Sequence, residues 1–310
     1  MKKYSSASAY KNERQSIVTI GTFDGMHLGH KTILKRLTET AKREDLDSVV
    51  LTFFPHPRMV LQQNSDIKLI NTIDERTYLL EKTGLDHLVI HPFTHAFSRL
   101  TALEYVRDIL VNSLQAKKII IGYDHRFGRN RNANIEDLKE FGKIYDFEVE
   151  EISVKEIDDV AISSTKIRKA LDVGDIETAN SYLGYNFMIS GEVVKGKAIG
   201  RTINYPTANL KLKETYKLIP KKGVYVIQSL IEGRKTFGIT SIGTNPTVGG
   251  TEKTIETHFL DFSGDLYGNE ITIEFLKHIR NEETFSSIEI LRQEITKDEN
   301  FAKQFLKNRG

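Results

Sequence analysis

His27 and His30 stand three residues apart in Ile20-Gly21-Thr22-Phe23-Asp24-Gly25-Met26-His27-Leu28-Gly29-His30, between an apolar run and a helical pattern. Two imidazoles at that spacing on the first turn of a helix can face one polyphosphate. The helix N-terminus itself favours phosphate, and Gly21, Gly25 and Gly29 let the backbone come close to a ligand. Phosphoryl and nucleotidyl transfer ask mainly for positioning and charge stabilisation, which two such donors and a helix end supply. Either histidine alone reads as an ordinary polar loop residue; the spacing within a strand–helix frame is what points to phosphate. The loop is not a P-loop, carries no G-x-G-x-x-G and has no evident third ligand for zinc.

A second pattern lies far downstream. In Tyr205-Pro206-Thr207-Ala208-Asn209-Leu210, Thr207 and Asn209 are two apart, so extended backbone turns both side chains to one face. A hydroxyl and an amide carbonyl are hard oxygen ligands suited to Mg²⁺ on ATP phosphates. A proline-initiated turn entering a strand is the plainer reading, and both stay open. Gly191, Gly196 and Gly200 precede this stretch, beside Lys195 and Lys197. They read equally as hairpin turns or as a flap over phosphate.

The elements that must position these residues differ between the two halves. Through about residue 185, β-branched runs such as Ile17–Ile20, Ser48–Phe54, His87–Ile90 and Lys117–Ile121 alternate with helical patterns. Continuous rather than alternating apolar runs predict strands covered on both faces, hence a parallel sheet. Helices are predicted near 30–43, 75–83, 164–171 and 176–183. Beyond Phe187 come short strands at close spacing, over 188–194, 223–227, 235–240, 254–262 and 270–275, which predict an antiparallel barrel or sandwich. An amphipathic helix over 286–306 closes the chain, with Ile288, Leu291, Ile295, Phe301 and Phe305 on its apolar side. The expected domains are 1–185 and 186–310.

The composition narrows the classes. Lys+Arg 44 against Asp+Glu 42 leaves a net charge of +2, against the strongly basic domain of a nucleic-acid binder. With no cysteine there are no disulfides, thiolate metal sites or cysteine nucleophile. No secretory h-region opens the sequence, and no run nears the about 18 apolar residues of a membrane span. A cytoplasmic protein is expected.

The loop GTFDGMHLGH resembles the signature of the HxGH nucleotidyltransferase superfamily, in the form found in prokaryotic bifunctional riboflavin kinase/FMN adenylyltransferases. Phe53-Phe54-Pro55-His56-Pro57, Gly122-Tyr123-Asp124-His125-Arg126-Phe127-Gly128 and Ile162-Ser163-Ser164-Thr165-Lys166-Ile167-Arg168 agree with that family. So does GEVVKGKAIGRTINYPTANL, together with Gly223–Tyr225, Ile242–Thr247, Glu256–Phe262, Tyr267-Gly268 and Phe275–Arg280. The resemblance spans nearly the whole chain. It implies an α/β fold: a Rossmann-like HxGH domain followed by an antiparallel β-barrel riboflavin kinase domain with a terminal helix. It implies phosphorylation of riboflavin to FMN and adenylylation of FMN to FAD, with ATP as co-substrate and Mg²⁺ as the metal.

For residues, the resemblance implies His27 and His30 as catalytic in the first domain, with ATP held by Gly21, Phe23, Asp24, Gly29, Ser163, Ser164, Thr165 and Arg168. Asp124 and Phe127 would lie near flavin or adenine. In the second domain it implies Glu256 as general base, Gly196, Lys197 and Gly200 at ATP, Thr207 and Asn209 at the metal, and Arg280 at the flavin unless it pairs with an acidic neighbour such as Glu282. The sequence departs from the family at His125, where an aromatic is usual, and at Asn130–Ala133, where glycines are commoner; an effect on flavin affinity or adenylylation rate is expected. Neither nucleic acid nor membrane is an expected partner, and a homo-oligomer is allowed. A kinase with a weakened adenylylation half and a non-catalytic flavin-responsive regulator are the competing readings.

Overall fold

The computed structural model describes residues 1–62, 66–122, 125–153, 162–196, 200, 205–247 and 250–309. The β-branched runs of the first half form the expected parallel sheet: β1 (Lys2–Tyr4), β2 (Ser16–Ile20), β3 (Asp47–Phe54), β4 (His87–Pro92), β5 (Ala116–Gly122) and β6 (Glu148–Ile152). Every residue of β2 is buried, as a strand covered on both faces requires. The order is β1-β4-β3-β2-β5-β6. From β2 the chain steps outward to β3 and β4, then crosses back to lay β5 on the other side of β2. That reversal makes the carboxyl end of β2 a topological switch point, the crevice where open α/β sheets hold ligands. The longer helices among the described residues here are α1 (Leu28–Glu44), α2 (Pro57–Leu61), α3 (Ile73–Glu81), α4 (Tyr105–Ser113, wound with π geometry) and α5 (Ile135–Tyr145).

In the second half, β7 (Met188–Val194), β8 (Ala208–Lys211), β9 (Gly223–Ile231), β10 (Arg234–Thr247), β11 (Gly250–Phe259) and β12 (Glu270–Asn281) close a barrel in the order β10-β11-β8-β7-β12-β9. All its pairings are antiparallel. Among the described residues three helices accompany it: α6 (Ser164–Val173), α7 (Ile176–Leu183) and α8 (Ile288–Lys307).

The chain divides into two compact units, Met1–Ser164 and Thr165–Gly310. Nearly all of α6, and α7, therefore fall with the barrel. Lys221 N donates to Leu171 O of α6 at 3.0 Å, and Asn180 of α7 donates to Phe275 O of β12 at 2.8 Å.

The buried stripe of α8 differs from the one the apolar residues suggest. Ile295 and Phe305 do pack on a barrel cluster of Val224, Val226, Ile239 and Leu276. Ile288 and Phe301 are exposed instead, and the side chain at the centre of the stripe is Asp298, 3% exposed. A carboxylate can sit there because Arg280 of β12 engages it bidentately through one guanidinium edge, Nε at 3.0 Å and Nη2 at 2.8 Å.

Candidate active sites

The loop leaving β2 is tightly wound. Phe23 (φ 48°) and Met26 (φ 42°) are left-handed without being glycine, flanking Gly25 (φ 89°). Such conformations persist only where the surroundings over-determine them, and they concentrate at functional sites. Gly21 lets the ring of Phe23 lie close: a Cβ there would stand 3.1 Å from it, tighter than ordinary contact. Asp24, 1% exposed, accepts the backbone amides of Ile70 at 3.3 Å and Asn71 at 3.2 Å, just ahead of α3. Its carbonyl accepts the Ser164 hydroxyl at 2.8 Å, so the Ser163-Ser164 segment begins beside this loop.

His27 is the N-cap of α1 but makes no capping bond, and the first turn carries no acidic residue. The helix amides thus remain available to an anion. The His27 and His30 rings stack at 3.7 Å between centroids, tilted by 18°. Both Nδ1 atoms are buried with no hydrogen-bond partner among the described residues. Burial pushes His27 down to about 4, Asp24 acting against it, and holds His30 well below the imidazole range, with His27 and Arg76 adding to the effect. The pair is neutral at physiological pH, packed against Phe23, whose ring lies 5.1 Å from that of His30. Two buried imidazoles with orphaned nitrogens beside an unfilled helix end form a ready cradle for negative oxygens.

The remaining expected residues of this half are placed as follows. Gly29 is buried within α1. Thr165 is exposed and Arg168 half-buried, both on α6 and both in the second unit. Phe127 is 6% exposed, belongs to the main core, and exchanges two backbone hydrogen bonds with Ala133 at 3.1 and 3.2 Å. Its ring lies 5.8 Å from Tyr105 and 6.1 Å from His125. Asp124 lies outside the described residues.

In the barrel, Asn209 on β8 sits directly opposite Glu256 on β11. The Thr207 hydroxyl, two residues earlier, donates to Glu256 Oε2 at 3.4 Å. The structure thus gathers three side chains separated by some fifty residues of sequence. Gly196 packs its backbone against this group: a Cβ there would fall 2.3 Å from the Asn209 amide nitrogen and push that side chain aside. Gly200 is equally constrained, 2.2 Å from Tyr205 O, to whose amide its own carbonyl is bound at 2.8 Å. Tyr205 ties this segment to α8 through Thr296 at 2.9 Å and Glu299 at 3.2 Å. Lys197 lies outside the described residues. Arg280 pairs with Asp298 and not with Glu282, which accepts from Thr244 N at 3.2 Å.

Thr207 and Asn209 offer neutral hard oxygens, and among the described residues no group of three acidic, histidine or cysteine side chains gathers as a metal site. That donor set fits Mg²⁺ shared with phosphate better than a metal held by protein alone.

Sequence spacing missed Arg76, buried under the first loop, and Tyr205. Arg76 looks like one more charge on an amphipathic helix. The Thr72-x-x-Glu75 capping box beside it, which the structure forms in full, is the one local signal that was available.

Comparison with known proteins accords with this geometry. A family model described as FAD synthetase matches residues 9–166, and one described as riboflavin kinase matches 183–306. The bifunctional riboflavin kinase/FMN adenylyltransferase of Escherichia coli K12 is 37% identical over 290 residues, 93% of this chain and 92% of its own. That of Buchnera aphidicola subsp. Schizaphis graminum is 38% identical over 299 residues, 95% of each chain. A solved Streptococcus pneumoniae structure, described as a macrolide-efflux protein, superposes with a TM-score of 0.88 at 32% identity, covering 97% of this chain and 98% of that one. In the present chain, no helix among the described residues is long and apolar enough to cross a membrane.

Proposed function

The chain belongs to the bifunctional riboflavin kinase/FMN adenylyltransferase family, and from that premise and the geometry we infer which residues carry each activity. The chain phosphorylates riboflavin to FMN and adenylylates FMN to FAD, using ATP in both steps. The observation that carries the assignment is that His27 and His30 fall in one compact unit and Thr207, Asn209 and Glu256 in the other. The functional modules are 1–185 for adenylylation and 186–310 for the kinase.

In adenylylation, an FMN phosphate oxygen attacks the α-phosphorus of ATP in line, and the bond to pyrophosphate breaks. His27 and His30, helped by the open amides of α1, donate to the phosphate oxygens on which charge accumulates. Gly21, Phe23, Asp24 and Gly29 shape the loop around the nucleotide, with Ser163 and Ser164 beside it through the Ser164 bond to Asp24 O. Asp124 and Phe127 are assigned to the flavin on the family resemblance; with its ring in the core, Phe127 contributes backbone and shape.

In the kinase step, the ribityl 5′-hydroxyl oxygen attacks the γ-phosphorus, ADP leaves, and Glu256 accepts the hydroxyl proton. Because Thr207 donates its proton to Glu256, the hydroxyl's lone pairs are left for a cation. Thr207 and Asn209 would hold Mg²⁺, which when bound neutralises triphosphate charge. Gly196, Lys197 and Gly200 line the phosphates, while Arg280, paired with Asp298, takes the structural alternative to a flavin contact. The enzyme works in the cytoplasm without nucleic acid or membrane.

A chromatographic time course of riboflavin, FMN and FAD with Mg-ATP tests the assignment. His27→Ala is expected to stop at FMN. Asn209→Ala or Glu256→Ala should make no FMN from riboflavin yet convert added FMN to FAD. Loss of both steps in any one folded variant sinks the two-site scheme.

A further inference from the structure

Arg76 is 1% exposed, the largest of the fully buried side chains, and lies on α3 beneath the nucleotide loop. Its guanidinium reaches the loop along two routes. Nη2 lies 4.0 Å from Asp24 Oδ1, a carboxylate equally buried. Nη1 donates to Thr52 Oγ1 at 3.5 Å, and that hydroxyl donates in turn to Thr22 O at 3.4 Å. Both ends of the Thr22–Asp24 turn are therefore referred to one fixed cation, with the left-handed Phe23 between them. The Phe23 ring packs against His30. A turn strained at Phe23 relaxes unless something holds both its ends, and a buried planar guanidinium is a rigid means of doing so.

We propose that Arg76 is a positioning residue for adenylyl transfer, clamping the Thr22–Asp24 turn through Asp24 and Thr52 so that the Phe23 ring holds the stacked imidazoles in register with the phosphates. The proposal rests on the phosphate-facing role of His27 and His30. The charged and titratable groups that bear on His30 are His27 and Arg76, and Asp24 bears on His27. Arg76 is the cation among them; it opposes protonation of His30 and so favours a neutral donor in the empty site. Lysine keeps the charge of arginine but not its fork, so it can serve one route at a time.

Full-length wild type, Arg76→Lys, Arg76→Met, Thr52→Val and His27→Ala are assayed separately for FMN adenylylation and riboflavin phosphorylation, with melting temperatures alongside. Arg76→Lys is expected to lower kcat for adenylylation about ten- to a hundredfold with KM for ATP changed less than about threefold, since misplacement by an ångström is enough for such losses. Arg76→Met falls further, making lysine a partial rescue, and riboflavin phosphorylation in the same preparations is unchanged. A folded Arg76→Lys enzyme with wild-type adenylylation kcat overturns the proposal. Should the Arg76 variants fail to fold, Thr52→Val, which leaves the buried charges in place, decides by the same criterion. His27→Ala separates the two levels. Intact adenylylation there removes the role of the imidazoles, whereas its loss beside a wild-type Arg76→Lys removes the role of Arg76 alone.

Discussion

At the scale of single residues, the buried His27 makes the fold sensitive to acid. Unfolded, His27 titrates near 6.5; folded, burial lowers it to about 4. Between those values the unfolded chain binds the extra proton, so stability falls as pH drops from about 6.5 and the loss is complete below about 4. A shift of that size corresponds to about 3 kcal/mol. In calorimetric scans from pH 7 to 4, the wild type should lose stability more steeply than His27→Asn; parallel slopes would contradict this. Gly196 makes a second prediction. A methyl group there meets a side-chain amide and not backbone, so Gly196→Ala should displace Asn209 with little change in melting temperature. Riboflavin phosphorylation should fall by about tenfold or more while FMN adenylylation persists. Residue type and spacing singled out the paired histidines, whereas the Thr207/Asn209 pair stood out only through the family resemblance. Phe23 and Met26 were not legible, because nothing in a phenylalanine or methionine announces left-handed backbone.

At the scale of elements, the Arg280–Asp298 pair fixes how α8 sits on the barrel. Burial raises Asp298 and Arg280 pulls it back, leaving its carboxyl above the usual range. Arg280→Ala would strand a buried carboxylate and should cost about 3–5 kcal/mol. Arg280→Met with Asp298→Leu removes both charges, and its stability should return to within about 1 kcal/mol of wild type. Denaturant unfolding measures this, and riboflavin KM in the double variant separates a flavin contact from a structural one: if Arg280 touches the flavin, KM rises even though the fold is restored. The sequence yielded α8 to within two residues of its start but misjudged its face. Apolar spacing assumes that charges point outward, and the partner that lets Asp298 turn inward lies on another strand. The α6–α7 pair was found with nearly its observed bounds, helped by Gly174 and the cap Asp175, whose carboxylate accepts Thr178 N at 3.1 Å. Its attachment to the barrel depends on bonds such as Asn180 to Phe275 O, which no local pattern contains.

At the scale of the whole molecule, the parallel sheet is nearly local. Neighbouring strands alternate with helices, and β-branched runs were enough to read it. The barrel is closed instead by β7 meeting β12, where Ser190 faces Thr272. Register across such a span is set by packing of both strands and leaves no trace in either alone. This difference has a consequence during synthesis. By the time β6 has left the ribosome every strand of the sheet is available, while the barrel waits for Asn281, the last residue of β12. Until then β7 and β9 each lack a neighbour and present open edges, the condition that invites association with other nascent chains. Chains stopped near residue 265 should therefore gather in aggregates through their second half. Chains carried past β12 should stay dispersed, and sedimentation of the two products distinguishes the outcomes.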